Sequence, residues 1–209
     1  MNDVPKLLGT SLAVEERLNQ IELPHIAPLT DFVRRLRSRM GPDTTIPYFD
    51  PWDGGINAEV LFLLEAPGPK ASQSGFISRN NPDETARNFF ELNQQTGIDR
   101  KRTVVWNVVP WYIGSGSRIR PANAIDIDKG TESLGELLQL LPKLRAIVLV
   151  GQKARKAKSH IKKLAPELAI LESPHPSPLF VNRKPGNRQL LLEKFRRVRA
   201  FLDANLVPD

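Results

Sequence analysis

Three short segments concentrate the side chains that have chemistry to offer. The first is Leu64-Glu65-Ala66-Pro67-Gly68-Pro69, a carboxylate followed by small and rigid residues. Its prolines fix the backbone, and its small residues let a ligand approach closely. The second is Val104-Val105-Trp106-Asn107-Val108-Val109-Pro110-Trp111, one amide inside an apolar run. A buried amide that finds no partner costs about 1–3 kcal/mol, so Asn107 bonds either neighbouring backbone or a ligand. The third is Ser173-Pro174-His175-Pro176-Ser177-Pro178-Leu179, where alternating prolines stiffen a loop around an imidazole. The chain has 3 histidines and no cysteine. His25 and His160 lack the proline frame of His175. Thiolate nucleophiles, Cys-ligated zinc and iron–sulfur clusters are excluded, and no plausible metal-ligand set remains. The first segment is not a phosphate loop either, since no Lys-Ser or Lys-Thr follows its glycine.

Strands and helices must hold these segments in place. Glu59–Leu64, Thr103–Val109 and Arg145–Val150 are apolar runs without alternation, the pattern of strands buried on both faces. Leu168–Leu171 reads as a short fourth strand. Between them lie a helix from Pro82-Asp83-Glu84 to Thr96 stopped by Gly97, a helix over Ile125–Leu141, and a basic helix over Gln152–Leu164. Leu12–Arg39 reads as helical with interruptions near Pro24 and Pro28, 41–55 reads as a loop, and Asn187–Ala204 is a final amphipathic helix. Strands alternating with helices predict a three-layer α/β/α domain around a four-stranded parallel sheet. The whole chain, 1–209, is expected to form one domain, with 1–45 a helical extension packed on it. In such sheets ligands sit outside the carboxyl ends of the strands, where all three segments fall.

Composition narrows the partner. The net charge is +7, and from Leu141 onward 15 Lys and Arg face only 5 acids. A basic half on a near-neutral half fits a polyanion partner, although Lys and Arg also solvate ordinary helix faces. No apolar run reaches the roughly 18–20 residues that span a bilayer. The first ten residues lack the apolar core of a secretory leader, so a cytoplasmic protein is expected; it is also expected to be a monomer.

Taken together, the motifs resemble those of the uracil-DNA glycosylase superfamily. Its members carry a Gly-Glu-Ala-Pro-Gly-type first motif, a strand end of the Asn-Val-Val-Pro type and a late His-Pro-Ser-Pro-Leu loop. Here Leu64–Gly68, Asn107–Pro110 and His175–Leu179 come in that order, over about Glu59–Leu179. Leu64 stands where the first motif usually has glycine. Ala66 stands where the best-known branch has a water-activating Asp. The cluster-binding cysteines of the thermophilic branch are absent, so the resemblance implies a divergent, cofactor-free member.

The resemblance implies a repair enzyme that flips uracil from DNA. It would hydrolyse the glycosidic bond and leave an abasic site. Asn107 would read the base, and Phe76 would stack beneath it. Ala66, Pro67 and Gly68 would complete the base pocket. His175 would stabilise the negative charge developing on uracil O2. Glu65 would orient water, offset positive charge on the sugar, or exclude thymine's methyl group. Leu179 would wedge into the duplex, with Ser177, Arg183 and Lys184 contacting phosphates. The basic helix from Lys153 to Lys163 is a weaker candidate for phosphate contact. Two other readings stay open: a uracil- or abasic-site-binding protein with little turnover, and an unrelated α/β enzyme acting on a nucleotide or small anion.

Overall fold

The computed structural model describes residues 2–116 and 118–204. Its centre is a four-stranded, all-parallel sheet: β1 (Val60–Leu64), β2 (Thr103–Asn107), β3 (Ala146–Val150) and β4 (Ala169–Ser173). The spatial order is β2-β1-β3-β4. Val60 pairs with Thr103 on one side and Ala146 on the other, and Ala146 pairs with Ala169. The chain leaves β1 for a neighbour on one side and then crosses to the other. That reversal opens a crevice at the carboxyl ends.

Alternation along the strands assigns the layers. Val104 and Trp106 point to one face, where Trp106 stacks on Phe49 at 3.9 Å between ring centres and meets Phe32 of α2 (Ala27–Met40) edge-on at 6.0 Å. Phe62 points to the opposite face. There it packs against Phe89 of α4 (Glu84–Thr96) at 5.0 Å and Phe195 of α10 (Asn187–Asp203) at 5.5 Å. Each such buried side chain contributes about 1.5–3 kcal/mol of transfer free energy. Asn107 lies on the Phe62 face, and so opens toward α4. A shorter helix, α1 (Ser11–Leu18), precedes α2, and Thr10 caps its first turn by accepting from the Ala13 amide. The helix α3 (Pro69–Ser74) follows the first motif, with proline in its first turn.

Two expected helices are each divided. Ile125–Leu141 becomes α5 (Ala124–Thr131) and α6 (Leu134–Gln139). The break follows from packing, because a Cβ on Gly130 would lie 2.2 Å from the Val108 carbonyl oxygen. Helix α5 therefore presses its backbone onto the chain leaving β2, and Ser133 turns its hydroxyl back onto the Gly130 carbonyl at 3.0 Å. Gln152–Leu164 becomes α7 (Gln152–Arg155) and α8 (Lys158–Leu164), and the turn between them keeps Ala154, Ala157 and Ile161 all buried. Strand β2 also ends two residues early. Val108 and Val109 leave the ladder but still donate to the Leu64 and Glu65 carbonyls at 2.8 and 2.9 Å. The fourth strand runs to Ser173, later than expected, because Val150 pairs with it. No helix among the described residues is long and apolar enough to cross a membrane.

Candidate functional site

A cavity of about 450 Å³ opens at the carboxyl edge of the sheet. Its wall takes Glu65 from the end of β1, Asn107 from the end of β2 and His175 from the loop after β4. Ala66, Pro67 and Gly68 form the adjoining wall. A Cβ added to Gly68 would meet nothing within 4 Å, so the glycine leaves open space at the rim.

Asn107 is 3% exposed. Neighbouring backbone does not satisfy it: among the described residues its side-chain amide makes no hydrogen bond within 3.5 Å. Its donor and acceptor are therefore left for whatever fills the cavity. His175 is held by its frame. Asn88 of α4 donates to the Pro176 carbonyl at 2.9 Å, and Ser173 and Gly151 join the ends of β4 and β3 through a 2.8 Å bond. Burial pushes the His175 imidazole below its ordinary 6.5, so it is neutral at physiological pH.

Gly151 is the backing of that histidine. Its φ is +90°, and a Cβ there would sit 3.2 Å from the His175 Cβ. Gly151→Ala combines a strained backbone with a side chain pressed on the loop. It is expected to cost about 1–3 kcal/mol, read as a lowered thermal midpoint.

Glu65 is half-buried, and its Oε1 accepts the Ala122 amide at 2.7 Å. Asp83, the other carboxylate in the wall, accepts the Ala86 amide at 2.9 Å and so caps α4. Burial pushes the Asp83 carboxyl up.

Phe76 departs from expectation. It is fully buried and lies outside the cavity wall, packed with Leu8 and Ala13 and 6.4 Å from the Tyr48 ring. The cause is a two-residue parallel pairing of Tyr48–Phe49 with Phe76–Ile77, which turns Phe76 toward the N-terminal segment. Ile77 and Phe89 line the cavity in its place.

The His loop continues into α9 (Pro178–Val181), capped by Ser177, whose hydroxyl oxygen accepts the Phe180 amide at 3.3 Å. Leu179 projects from this short helix and is 82% exposed. Arg183 and Lys184 follow it, both exposed and without an ion pair among the described residues.

Two groups were not singled out by sequence reasoning. One is Ile119-Arg120-Pro121, which also lines the cavity and carries no motif. The other is a buried ionic network behind the wall. Asp50 accepts from Arg17 Nε at 2.9 Å and Arg100 Nη2 at 2.6 Å, and the Ser78 hydroxyl also donates to it. Asp53 accepts from Arg100 Nε at 2.7 Å, and Arg79 Nη2 donates to Thr103 Oγ1 at 2.9 Å. Burial alone pushes the Asp50 carboxyl up, yet the Arg100 and Arg17 guanidinia hold it below the usual carboxylate range. Burial lowers Arg79 to about 10. Ser78 and Arg79 both line the cavity, so this network is its foundation. The only sequence signal was the pair of aspartates in Asp50-Pro51-Trp52-Asp53, inside a stretch that reads as loop.

Among the described residues no three His, Asp or Glu side chains come together to hold a metal ion. The model of the uracil DNA glycosylase superfamily matches residues 51–199. The chain is also similar to the solution NMR structure of a candidate uracil DNA glycosylase from Methanosarcina acetivorans, at 18% identity and a TM-score of 0.48, covering 68% of this chain and 92% of that one. No curated protein matches.

Proposed function

Because the chain belongs to the uracil DNA glycosylase superfamily, we propose that it removes uracil from DNA by hydrolysing the N-glycosidic bond, releasing the free base and leaving an abasic site. The observation that carries this reading is the unpartnered Asn107 amide in the wall that His175 also lines. The Asn107 amide donates to uracil O4 and accepts from N3–H. Cytosine offers a donor at C4 and no N3–H, which leaves a buried polar group unpaired on each side. Sites built on such pairing reject the wrong base by roughly 10⁴-fold in favourable cases.

Bond cleavage leaves negative charge on the uracil and positive charge on the sugar. The neutral His175 ring donates N–H to O2, stabilising the departing anion. Water adds its oxygen to C1′ as the C1′–N1 bond breaks, and the water proton passes to solvent or to the released base. Ala66, Pro67 and Gly68 close around the base. Leu179 fills the gap left in the stack, an established use of an exposed apolar side chain. Ser177, Arg183 and Lys184 hold the phosphates on either side, with the protein acting as a monomer.

A uracil-containing duplex or single strand, incubated with the protein and then heated in alkali, reports the activity directly. A strand that stays intact overturns the reading. Asn107→Asp replaces the donor with an acceptor. It is expected to slow uracil release strongly and raise the ratio of cytosine to uracil cleavage, measured on matched oligonucleotides.

One observation favours a second reading. Ala66 supplies no carboxylate, and both carboxylates in the wall already accept backbone amides. A protein that binds flipped uracil or abasic sites with little turnover fits that arrangement. A gel shift on abasic DNA without single-turnover cleavage distinguishes it.

A further inference from the structure

Ala122 is the point where the Ile119–Pro121 part of the cavity wall is tied to the first motif and to α7. Its amide donates to Glu65 Oε1 at 2.7 Å, and its carbonyl accepts from Lys153 Nζ. Glu65 follows β1, and Lys153 lies on α7, after β3. Two charged groups from different strand ends thus hold the two sides of one residue. The carboxylate meets the amide and the ammonium meets the carbonyl, each with matching polarity. Ala122 is fully buried, whereas Ile119, Arg120 and Pro121 just before it are exposed and line the cavity.

The remaining tethers of this segment are local, beginning with the short antiparallel pairing of Arg118 and Ile119 with Ser115 and Gly114. Arg120 pairs with both oxygens of Asp126 at 2.5 and 2.9 Å, and Asn123 and Asp126 form a capping box on α5. Upstream, the Tyr112 hydroxyl donates to the Gly116 carbonyl at 2.8 Å. Among the described residues, Arg120 and Pro121 make no backbone hydrogen bond to the sheet.

We infer that Glu65 and Lys153 form a clasp that holds the 119–122 strap against the cavity, and that this strap governs how tightly the extrahelical base is retained. The inference rests on the base-excision reading for its substrate. It makes Glu65 a positioning residue that acts through the strap. Lys153, on a helix whose lysines read as solvated surface or weak phosphate contacts, becomes the second half of the clasp. The requirement at position 65 is then an acceptor oxygen, not a negative charge.

Two measurements on the full chain test this. The first is limited trypsin digestion, following by mass the fragment cut between Arg118 and Ile119, which reads the strap whether or not the protein cleaves uracil. The second is single-turnover kinetics on a uracil oligonucleotide, separating the half-saturating concentration from the maximal rate. Lys153→Met and Glu65→Ala are each expected to speed that cut and raise the half-saturating concentration by about tenfold, the scale of a lost charge-assisted bond. Glu65→Gln keeps an acceptor oxygen and is expected to restore most of the protection and affinity lost in Glu65→Ala. The double variant should lose little more than either single one, since one release frees the strap.

The inference is overturned if Lys153→Met matches wild type in both measurements. It is equally overturned if Glu65→Gln keeps protease protection but loses maximal rate as deeply as Glu65→Ala, the outcome expected of a general base. Should Glu65→Ala fail to fold, Lys153→Met and Glu65→Gln still decide. A wild-type protein that protects the strap yet leaves uracil in place sinks the excision reading and spares the clasp.

Discussion

His175→Ala is expected to lower the single-turnover rate of uracil release about 10²–10³-fold, the scale of removing one donor from a site that stabilises an anion. The geometry concentrates this effect in one ring. The loop is stiffened by Pro174 and Pro176, and α4 anchors it through Asn88 and the Pro176 carbonyl. The ring spends no hydrogen bond on the protein among the described residues, so its N–H is free for the base. Burial pushes its pKa below 6.5, and the rate is therefore expected to be flat above that pH, with a neutral donor throughout. DNA affinity should change little, because Leu179, Arg183 and Lys184 remain. The fold should survive as well, since the alanine breaks no bond.

Stability has its own signature at this residue. With the folded pKa below the unfolded 6.5, the unfolded chain binds more protons in that interval. Wild-type stability then falls as pH drops below 6.5 through the folded value, and His175→Ala removes that component. Rapid-quench rates paired with thermal midpoints at several pH values check both halves. A wild-type rate in the variant would remove His175 from the chemistry.

The sequence exposed the parts of this site that obey local rules. Val60–Leu64, Thr103–Asn107 and Ala146–Val150 are continuous apolar runs, and only a doubly covered parallel sheet buries such runs on both faces. Their carboxyl ends, with that of the fourth strand Ala169–Ser173, had to converge, so Glu65, Asn107 and His175 were visible as one set. Tertiary pairing decided what local rules could not. Phe76 faces the N-terminal segment instead of the cavity because a two-residue ladder with Tyr48–Phe49 fixes its side, and a ladder that short has no pattern of its own. The division into α5 and α6 depends on Gly130 meeting the Val108 carbonyl, a contact between segments about twenty residues apart. Ile119–Pro121 lines the cavity beside Ala122, which is tied to Glu65 and Lys153 from distant parts of the chain, and nothing in its composition marks it.

The ionic network was the least legible feature, and it carries the largest expected effect on stability. Asp50→Asn is expected to destabilise the fold by about 3–5 kcal/mol, the usual cost of leaving buried charges uncompensated. The reason is the company Asp50 keeps. Its carboxylate is fully buried and takes Arg17, Arg100, the Ser78 hydroxyl and the Trp52 amide at once. Arg17 is itself fully buried, with its guanidinium 3.1 Å from the centre of the Trp52 ring. A neutral amide of the same shape keeps the packing but removes the counter-charge from the fully buried Arg17 and from Arg100, whose side chain is only 11% exposed. For a domain of this size the loss corresponds to roughly 10 °C in the thermal midpoint.

Acid should act on the same carboxylate. Asp50 is held below its ordinary 3.8, so its contribution is present above that pH and is lost as pH falls through the lower folded value. Asp53 has the opposite sign, its carboxyl raised by burial despite Arg100 and Arg79, and offsets part of the slope. The variant should therefore lose stability at neutral pH and show a flatter acid limb than wild type. It should also loosen the cavity wall through Ser78 and Arg79, raising the half-saturating uracil-DNA concentration before the maximal rate falls. Chemical denaturation at neutral and acid pH, run beside single-turnover kinetics, tests the chain of consequences. Unchanged stability in Asp50→Asn would mean that Arg17 and Arg100 find other partners once the charge is gone.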